Sequence, residues 1–195
     1  MGKCRPLSTD EIELMKAHCS TPLERALLAF FERTGYRSSE AASLRIKDLW
    51  DGSQIRDRVQ VQARHMKKHV GRRPIPIHSE LRKALVIYFM QLQERGWLKP
   101  EVPLWLSRKC KSIVHGLKRE SLWRIIKKIA SAAGIKGHIG CHSFRKVLAV
   151  RTYELSGRNI MAVKAVLGHR QLSSTQAYLD GILSDDAIDA LFLAS

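Results

Sequence analysis

The chain of 195 residues is long enough to bury one sizeable hydrophobic core without disulfides or a metal, so a single domain is the first expectation. Its 34 lysine and arginine residues outnumber its 18 acidic residues, and the resulting net charge of +16 should attract polyanions, above all nucleic acid. The absence of a secretory start and of an apolar stretch near the roughly 18 residues of a membrane span excludes a membrane protein and favours a cytoplasmic, nucleoid-associated one.

Helix signals dominate the first part of the chain. Ser8 and Glu11 have the spacing of a capping box, and Thr21 precedes a second amphipathic stretch as an N-cap residue. A third short helix is predicted after Arg37, within residues 38–49. These three helices would precede any strand.

The hydrophobic period then changes from that of a helix to that of a strand. Val59 and Val61 alternate with polar residues, and Ile75 and Ile77 repeat the alternation after a basic loop. The pattern predicts a small antiparallel sheet or hairpin inserted near residues 54–78.

Helical patterns return from Ser79 and continue to the last residue. Gly134 and Gly157 stand where a helix would end in a left-handed glycine. The fold class predicted from all these elements is mostly α (α+β) with one small inserted sheet. The predicted helices of this part cover residues 79–97, 119–134, 143–157, 159–169 and 183–195.

The cysteines and histidines give no clear metal or disulfide pattern. His138 and His142 are four residues apart, yet no carboxylate or second cysteine completes a usual ligand set, so we predict no metal site. The cysteines lack CxxC spacing and are expected to be reduced, intracellular thiols. They are Cys4, Cys19, Cys110 and Cys141.

A tyrosine, Tyr178, follows His169 by nine positions at the close of the stretch LGHRQLSSTQAY. Because a tyrosine hydroxyl has an ordinary pKa of about 10, it attacks well only with help from cationic or hydrogen-bonding neighbours. On a basic chain the natural electrophile is a DNA phosphodiester. Arginines would then stabilise the charge on phosphorus, and a general acid would protonate the leaving sugar oxygen.

Five motifs that fit this chemistry follow one another between residues 34 and 178. They are TGYRSSE, the basic hairpin KKHVGRRPIPI, HSFR, LGH and the tyrosine. In this order and spacing they resemble the catalytic domain of the tyrosine recombinase (phage integrase) family.

The resemblance implies two phosphate-clamping arginines, a lysine general acid, two histidines for hydrogen bonding and proton transfer, and a tyrosine nucleophile. These are Arg37 and Arg145, Lys68, His142 and His169, and Tyr178. Glu40 would be a structural support. A one-residue shift of the hairpin would exchange Lys68 for Lys67, although the family's spacing to Pro76 selects Lys68. Further basic residues expected to bind DNA are Arg64, Lys67, Arg72, Arg73 and Arg170.

The function implied by the resemblance is site-specific DNA recombination through a 3′-phosphotyrosyl intermediate, without a metal or other cofactor. Type IB topoisomerase-like relaxation and a non-catalytic DNA-binding accessory role stay open as alternatives. Double-stranded DNA would be the partner, with a monomer in solution and a tetramer on DNA joined by exchange of the C-terminal tail.

We expect residues 1–195 to form one catalytic domain without the family's usual N-terminal core-binding domain. A naturally short recombinase and an excised domain are both compatible with the sequence. The motifs define neither the DNA target site nor the biological purpose of the reaction, because specificity lies in base contacts and DNA shape.

Overall fold

The computed structural model describes residues 4–59, 74–107 and 115–179. Within these ranges the chain forms eight α-helices, a 3₁₀ turn at Ile46–Asp48 and two short strands. The predicted mostly helical fold with a small antiparallel sheet is confirmed. The helices are α1 Thr9–Ala17, α2 Pro22–Thr34, α3 Ser38–Ala42, α4 Ser79–Glu94, α5 Arg119–Ala132, α6 Cys141–Leu155, α7 Ile160–Leu167 and α8 Leu172–Leu179.

The sheet lies within the predicted interval. Strands β1 (Arg58–Val59) and β2 (Ile75–Pro76) pair antiparallel, with Arg58 opposite Pro76 and Val59 opposite Ile75. The predicted strand position Val61 and the basic hairpin loop lie outside the described residues, as does the predicted helix at 183–195.

Capping chemistry fixes several helix ends as the sequence predicts. The Ser8 hydroxyl accepts a hydrogen bond from the Glu11 amide, and the Glu11 carboxylate accepts one from the Ser8 amide, which completes the capping box of α1. Thr21 caps α2 by accepting from the Glu24 amide at 3.1 Å. Gly134 adopts a positive φ of 69° after α5, as its predicted position requires.

Two hydrophobic clusters hold the helices together. The main core packs α2 against α4, α5 and α6 around aromatic side chains such as Phe30, Trp105 and Phe144. A smaller cluster joins α6, α7 and α8, and Tyr178 packs against it; its buried members are Ala149, Val163, Leu167 and Leu179. This second cluster fixes the position of α8 relative to α6.

Two further properties of the described residues bear on the class of protein. None of their helices combines the length and the apolar composition needed to cross a bilayer. Cys4, Cys19 and Cys141 are free thiols, whereas Cys110 lies outside the described ranges. Burial raises the pKa of Cys19 to about 11 and that of Cys141 to about 12, so both thiols stay protonated at neutral pH.

Candidate active site

Arg145 lies on α6 and is the most buried charged side chain of the site, with 0% of its surface exposed. Its Nη1 donates to the Gly35 carbonyl at 2.7 Å, and its Nη2 donates to the Leu167 carbonyl. These two carbonyls belong to the C-terminal ends of α2 and α7, where the helix dipole favours a cation. Arg145 therefore ties three helices together in one fixed orientation.

Arg37 is held at the start of α3 by Glu40. The Glu40 carboxylate accepts one hydrogen bond from the Arg37 backbone amide at 2.7 Å and one from its guanidinium at 2.8 Å. The carboxylate is buried, whereas 39% of the Arg37 side chain is exposed. Glu40 thus fixes the backbone amide and Nη1 of Arg37, while the exposed part of the Arg37 side chain stays accessible to a ligand.

His142 connects α6 with the helix that carries the tyrosine. It lies in the first turn of α6, and its Nδ1 is 3.2 Å from the hydroxyl oxygen of Tyr178 on α8. When Nδ1 carries no proton, the tyrosine hydroxyl donates to it. The contact brings together two residues that are 36 positions apart in the sequence.

His169 follows a left-handed glycine that ends α7. Gly168 has a φ of 62°, and the backbone amide of His169 then donates to the Lys164 carbonyl at 3.0 Å. The histidine is 8% exposed, and its ring centroid lies 5.2 Å from that of Tyr178. Its Nδ1 is 3.1 Å from the hydroxyl oxygen of Thr175.

Four of the predicted side chains, His142, Arg145, His169 and Tyr178, form one cluster in the structure. The carbonyl of Leu167, which binds Arg145, is two residues before His169. Tyr178 contacts both histidines, His142 through its hydroxyl and His169 through its ring. Arg37 is near enough to His142 for its charge to act on the histidine's pKa.

The remaining predicted site residues are either exposed to solvent or outside the described ranges. Arg170 is exposed immediately after His169. Lys68 and the alternative acid Lys67 lie outside the described residues, together with Arg64, Arg72 and Arg73. Their predicted roles stay predictions.

Three features of the site were not predicted from the sequence. The polar run before Tyr178 is itself helix α8, which places Thr175 and Tyr178 on one face. The carbonyl of Gly35 is a ligand of Arg145, and Thr175 is a partner of His169. The only sequence signal for them is proximity to the motifs, since Gly35 lies in TGYR and Thr175 lies in LSSTQAY.

The protonation of His142 is set by its surroundings. Although part of the side chain is exposed, burial is the first cause that lowers its pKa below the ordinary value of 6.5. The positive charges of Arg145 and Arg37 lower the pKa further, with a smaller contribution from Lys146, whereas Glu40 raises it. Neutral imidazole is therefore the form that we expect at neutral pH.

This lowered pKa predicts a pH dependence of stability. Between the folded pKa and the unfolded value near 6.5, the unfolded chain binds more protons at this position, so the free energy of unfolding should fall as the pH drops through that window. Urea unfolding at about pH 7.5 and about pH 5.5 would measure the loss. His142→Gln should lose less stability over the same interval than the parent protein, and an equal loss in both proteins would contradict this assignment.

The cluster has the groups that nucleophilic catalysis by a tyrosine requires. A neutral His142 can accept the hydroxyl proton of Tyr178, and the guanidinium groups of Arg37 and Arg145 supply permanent positive charge beside it. His169 adds a second imidazole, whose ring centroid lies 5.2 Å from that of Tyr178. The arrangement suits attack by a phenol oxygen on an anionic ester.

Comparison with known sequences finds tyrosine recombinases among the relatives of this chain. It is 30% identical over 161 residues to tyrosine recombinase XerD of Bifidobacterium longum, covering 80% of this chain and 48% of the relative. It is 32% identical over 165 residues to tyrosine recombinase XerC of Bacillus licheniformis, covering 82% of this chain and 50% of the relative. The chain thus spans about half the length of the curated relatives it matches.

Solved structures share the fold. The crystal structure of XerA recombinase superposes with a TM-score of 0.70 at 21% identity, covering 100% of this chain and 66% of that one. XerH site-specific recombinase, bound to its palindromic difH substrate in a post-cleavage complex, gives 0.69 at 18% identity, covering 96% of this chain and 52% of that one. The sequence model of the phage integrase family matches residues 5–181. Because this match includes almost the entire chain and all five motifs, the chain belongs to the phage integrase family, the tyrosine recombinases.

Proposed function

We propose that this chain cuts and rejoins double-stranded DNA as a site-specific recombinase, with Tyr178 as the nucleophile. The observation that carries the proposal is the 3.2 Å contact between the Tyr178 hydroxyl and His142 Nδ1, in a cluster that also contains Arg145 and His169. The names of the relatives support recombination, and the lambda integrase structure bound to DNA, which shares the fold, supports DNA as the substrate.

The first chemical step is attack by the Tyr178 oxygen on a DNA phosphodiester. His142 accepts the hydroxyl proton, while Arg37 and Arg145 stabilise the negative charge that accumulates on the phosphoryl oxygens. The bond between phosphorus and the 5′-oxygen of the next sugar in the strand breaks as the bond to Tyr178 forms. The product is a 3′-phosphotyrosyl link.

The departing sugar oxygen needs a proton from a general acid. We assign this role to Lys68, with Lys67 as the alternative, on the motif spacing in the sequence. The released 5′-hydroxyl, or that of a partner strand, then attacks the phosphotyrosine and frees Tyr178. Since one phosphodiester is exchanged for another, the reaction conserves the bond energy and consumes neither ATP nor another cofactor.

Binding to DNA would draw on the excess of positive charge. Five basic residues outside the arginine clamp are proposed to contact phosphates, and the affinity should fall steeply with salt. They are Arg64, Lys67, Arg72, Arg73 and Arg170. This activity would keep the protein associated with the nucleoid in the cytoplasm.

The assembly that we propose is a monomer in solution and a tetramer on DNA, each subunit contributing one catalytic domain formed by residues 1–195. Two synapsed duplexes carry four strands to be cut, which requires four tyrosines. The apolar sequence of the C-terminal segment, with Ile188, Leu191 and Phe192 at helical spacing, supports docking of the tail on a neighbouring subunit.

Covalent chemistry at Tyr178 can be tested without knowing the target site. Purified protein is incubated with supercoiled plasmid in EDTA at low salt and quenched with SDS, and relaxed circles and protein-linked DNA are measured. We expect both products from the parent protein and neither from Tyr178→Phe, because phenylalanine has no attacking oxygen. Tyr153→Phe is the matched control, since Tyr153 packs against the same small cluster and should be dispensable.

The outcomes separate the candidate functions. Adduct formation by Tyr178→Phe would refute the assignment of the nucleophile. Relaxation without joining of two plasmids would favour a type IB topoisomerase-like activity. DNA binding without any adduct from the parent protein would favour the non-catalytic DNA-binding role.

A further inference from the structure

The hydroxyl group of Thr175 is a buried polar group beside a histidine of the candidate active site. Thr175 has 0% of its surface exposed, and its Oγ1 lies 3.1 Å from Nδ1 of His169, which is itself 8% exposed. Both groups are therefore shielded from water. A hydrogen bond between Oγ1 and Nδ1 therefore replaces the contact with water that these two atoms lose on burial.

The buried hydroxyl proton needs an acceptor. Leaving a buried donor unsatisfied costs about 1–3 kcal/mol. Threonine in a helix often donates to a carbonyl one turn earlier, but within the described part of the chain the Thr175 hydroxyl makes one hydrogen bond, to His169 Nδ1. The hydroxyl is therefore the donor, and Nδ1 is the acceptor.

This direction fixes where the imidazole carries its own proton. A neutral imidazole has one N–H and one bare nitrogen, and a nitrogen that accepts a hydrogen bond is the bare one. We infer that Thr175 holds His169 as the Nε2–H tautomer, so that His169 acts as a hydrogen-bond donor in the site. Thr175 is thus a positioning residue that acts through His169.

The effect of this tautomer on catalysis rests on the proposed function. The phosphoryl oxygens gain negative charge as Tyr178 attacks, so a neutral N–H donor stabilises the transition state, whereas a bare nitrogen would repel it. The two histidines then have opposite roles, since His142 accepts the tyrosine proton and His169 donates. Thr175 lies three residues before Tyr178 on α8, so one helix carries both the nucleophile and the group that orients His169.

Nuclear magnetic resonance can test the tautomer directly. In protein labelled with ¹⁵N-histidine, a long-range ¹H–¹⁵N spectrum distinguishes a bare ring nitrogen from a protonated one, and the His169 signals are those absent from His169→Gln. We expect a bare Nδ1 and a protonated Nε2 in the parent protein at neutral pH. A protonated Nδ1, or an even mixture of tautomers, would overturn the inference without any further variant.

Variants then test whether Thr175 is the cause. Thr175→Val keeps the branched shape without the hydroxyl and should move both His169 nitrogen signals towards a mixture of tautomers, whereas Thr175→Ser should restore the parent pattern. Thr152→Val on α6 makes the same chemical change elsewhere and should leave His169 unaffected. Unchanged His169 signals in folded Thr175→Val would refute the role of Thr175.

The rate of covalent adduct formation gives a second measurement on supercoiled plasmid. Thr175→Val should lower this rate on the order of 10–100-fold, the size typical of groups that orient a functional histidine, while plasmid affinity stays unchanged. Thr175→Ser should recover most of the rate. Failure of the tautomer prediction would leave the proposed recombinase activity intact, whereas a parent protein without adduct would refute that activity and leave the tautomer result standing.

Discussion

Replacing Arg145 with lysine is expected to destabilise the protein by about 2–4 kcal/mol and to slow adduct formation by at least about 100-fold. The guanidinium reaches the carbonyls of Gly35 and Leu167 at the same time, whereas an ammonium on a shorter, differently shaped side chain cannot bridge both. At least one buried carbonyl would then lose its donor. The fixed charge that the reaction needs would also move.

Urea unfolding and the plasmid assay measure the two effects of Arg145→Lys separately. Arg151→Lys is the matched control, since Arg151 lies on the same helix and is only half-buried. We expect that control to change the free energy of unfolding by no more than about 0.5 kcal/mol. If Arg145→Lys were as stable and as active as Arg151→Lys, the proposed double role of Arg145 would be wrong.

Gly35→Ala should also cost about 2–4 kcal/mol of stability, for two separable reasons. Gly35 has a φ of 57°, which an L-residue adopts only with strain, and an added Cβ would lie 2.5 Å from Cδ2 of Leu148. The clash pushes α2 and α6 apart at the point where the Gly35 carbonyl binds Arg145. Activity should therefore fall together with stability.

A second glycine separates the clash from the backbone strain. Gly157 has a similar φ of 66°, but an added Cβ would meet no atom within 4 Å. Gly157→Ala should cost only the strain, about 1–2 kcal/mol, and Leu148→Ala combined with Gly35→Ala should destabilise less than the sum of the two single changes. Equal unfolding free energies for Gly35→Ala and Gly157→Ala would show that the clash is relieved at no cost.

Helix ends with their own capping chemistry could be predicted from the sequence, whereas ends imposed by distant segments could not. The box of Ser8 and Glu11 needs only local residues, so it appears where expected. The sequence predicts the third helix within 38–49, but the helix ends at Ala42 and a separate 3₁₀ turn follows at Ile46–Asp48. The backbone of Leu44 and Ile46 bonds to Leu104 and Val102, and these distant contacts outweigh local helix propensity.

In the candidate site, the motif residues could be predicted from the sequence, whereas their hydrogen-bond partners could not. The family resemblance of the motifs predicts His142, Arg145, His169 and Tyr178 as site residues, and the structure places them in one cluster. Their catalytic roles stay predictions. The partners of these residues were not predictable. Gly35 is 110 positions from Arg145, and the Thr175 bond exists only because the serine- and threonine-rich run forms a helix against the small cluster.

The complete burial of Arg145 has a consequence for how tightly the protein can hold its substrate. No part of this guanidinium is open to solvent, so a phosphate can touch it only in a conformation in which the covering atoms have moved. If that open conformation is a minor population, the apparent affinity for DNA is reduced by the fraction of molecules that occupy it. With the proposed function, substitutions that loosen the cover without touching Arg145 would then tighten DNA binding.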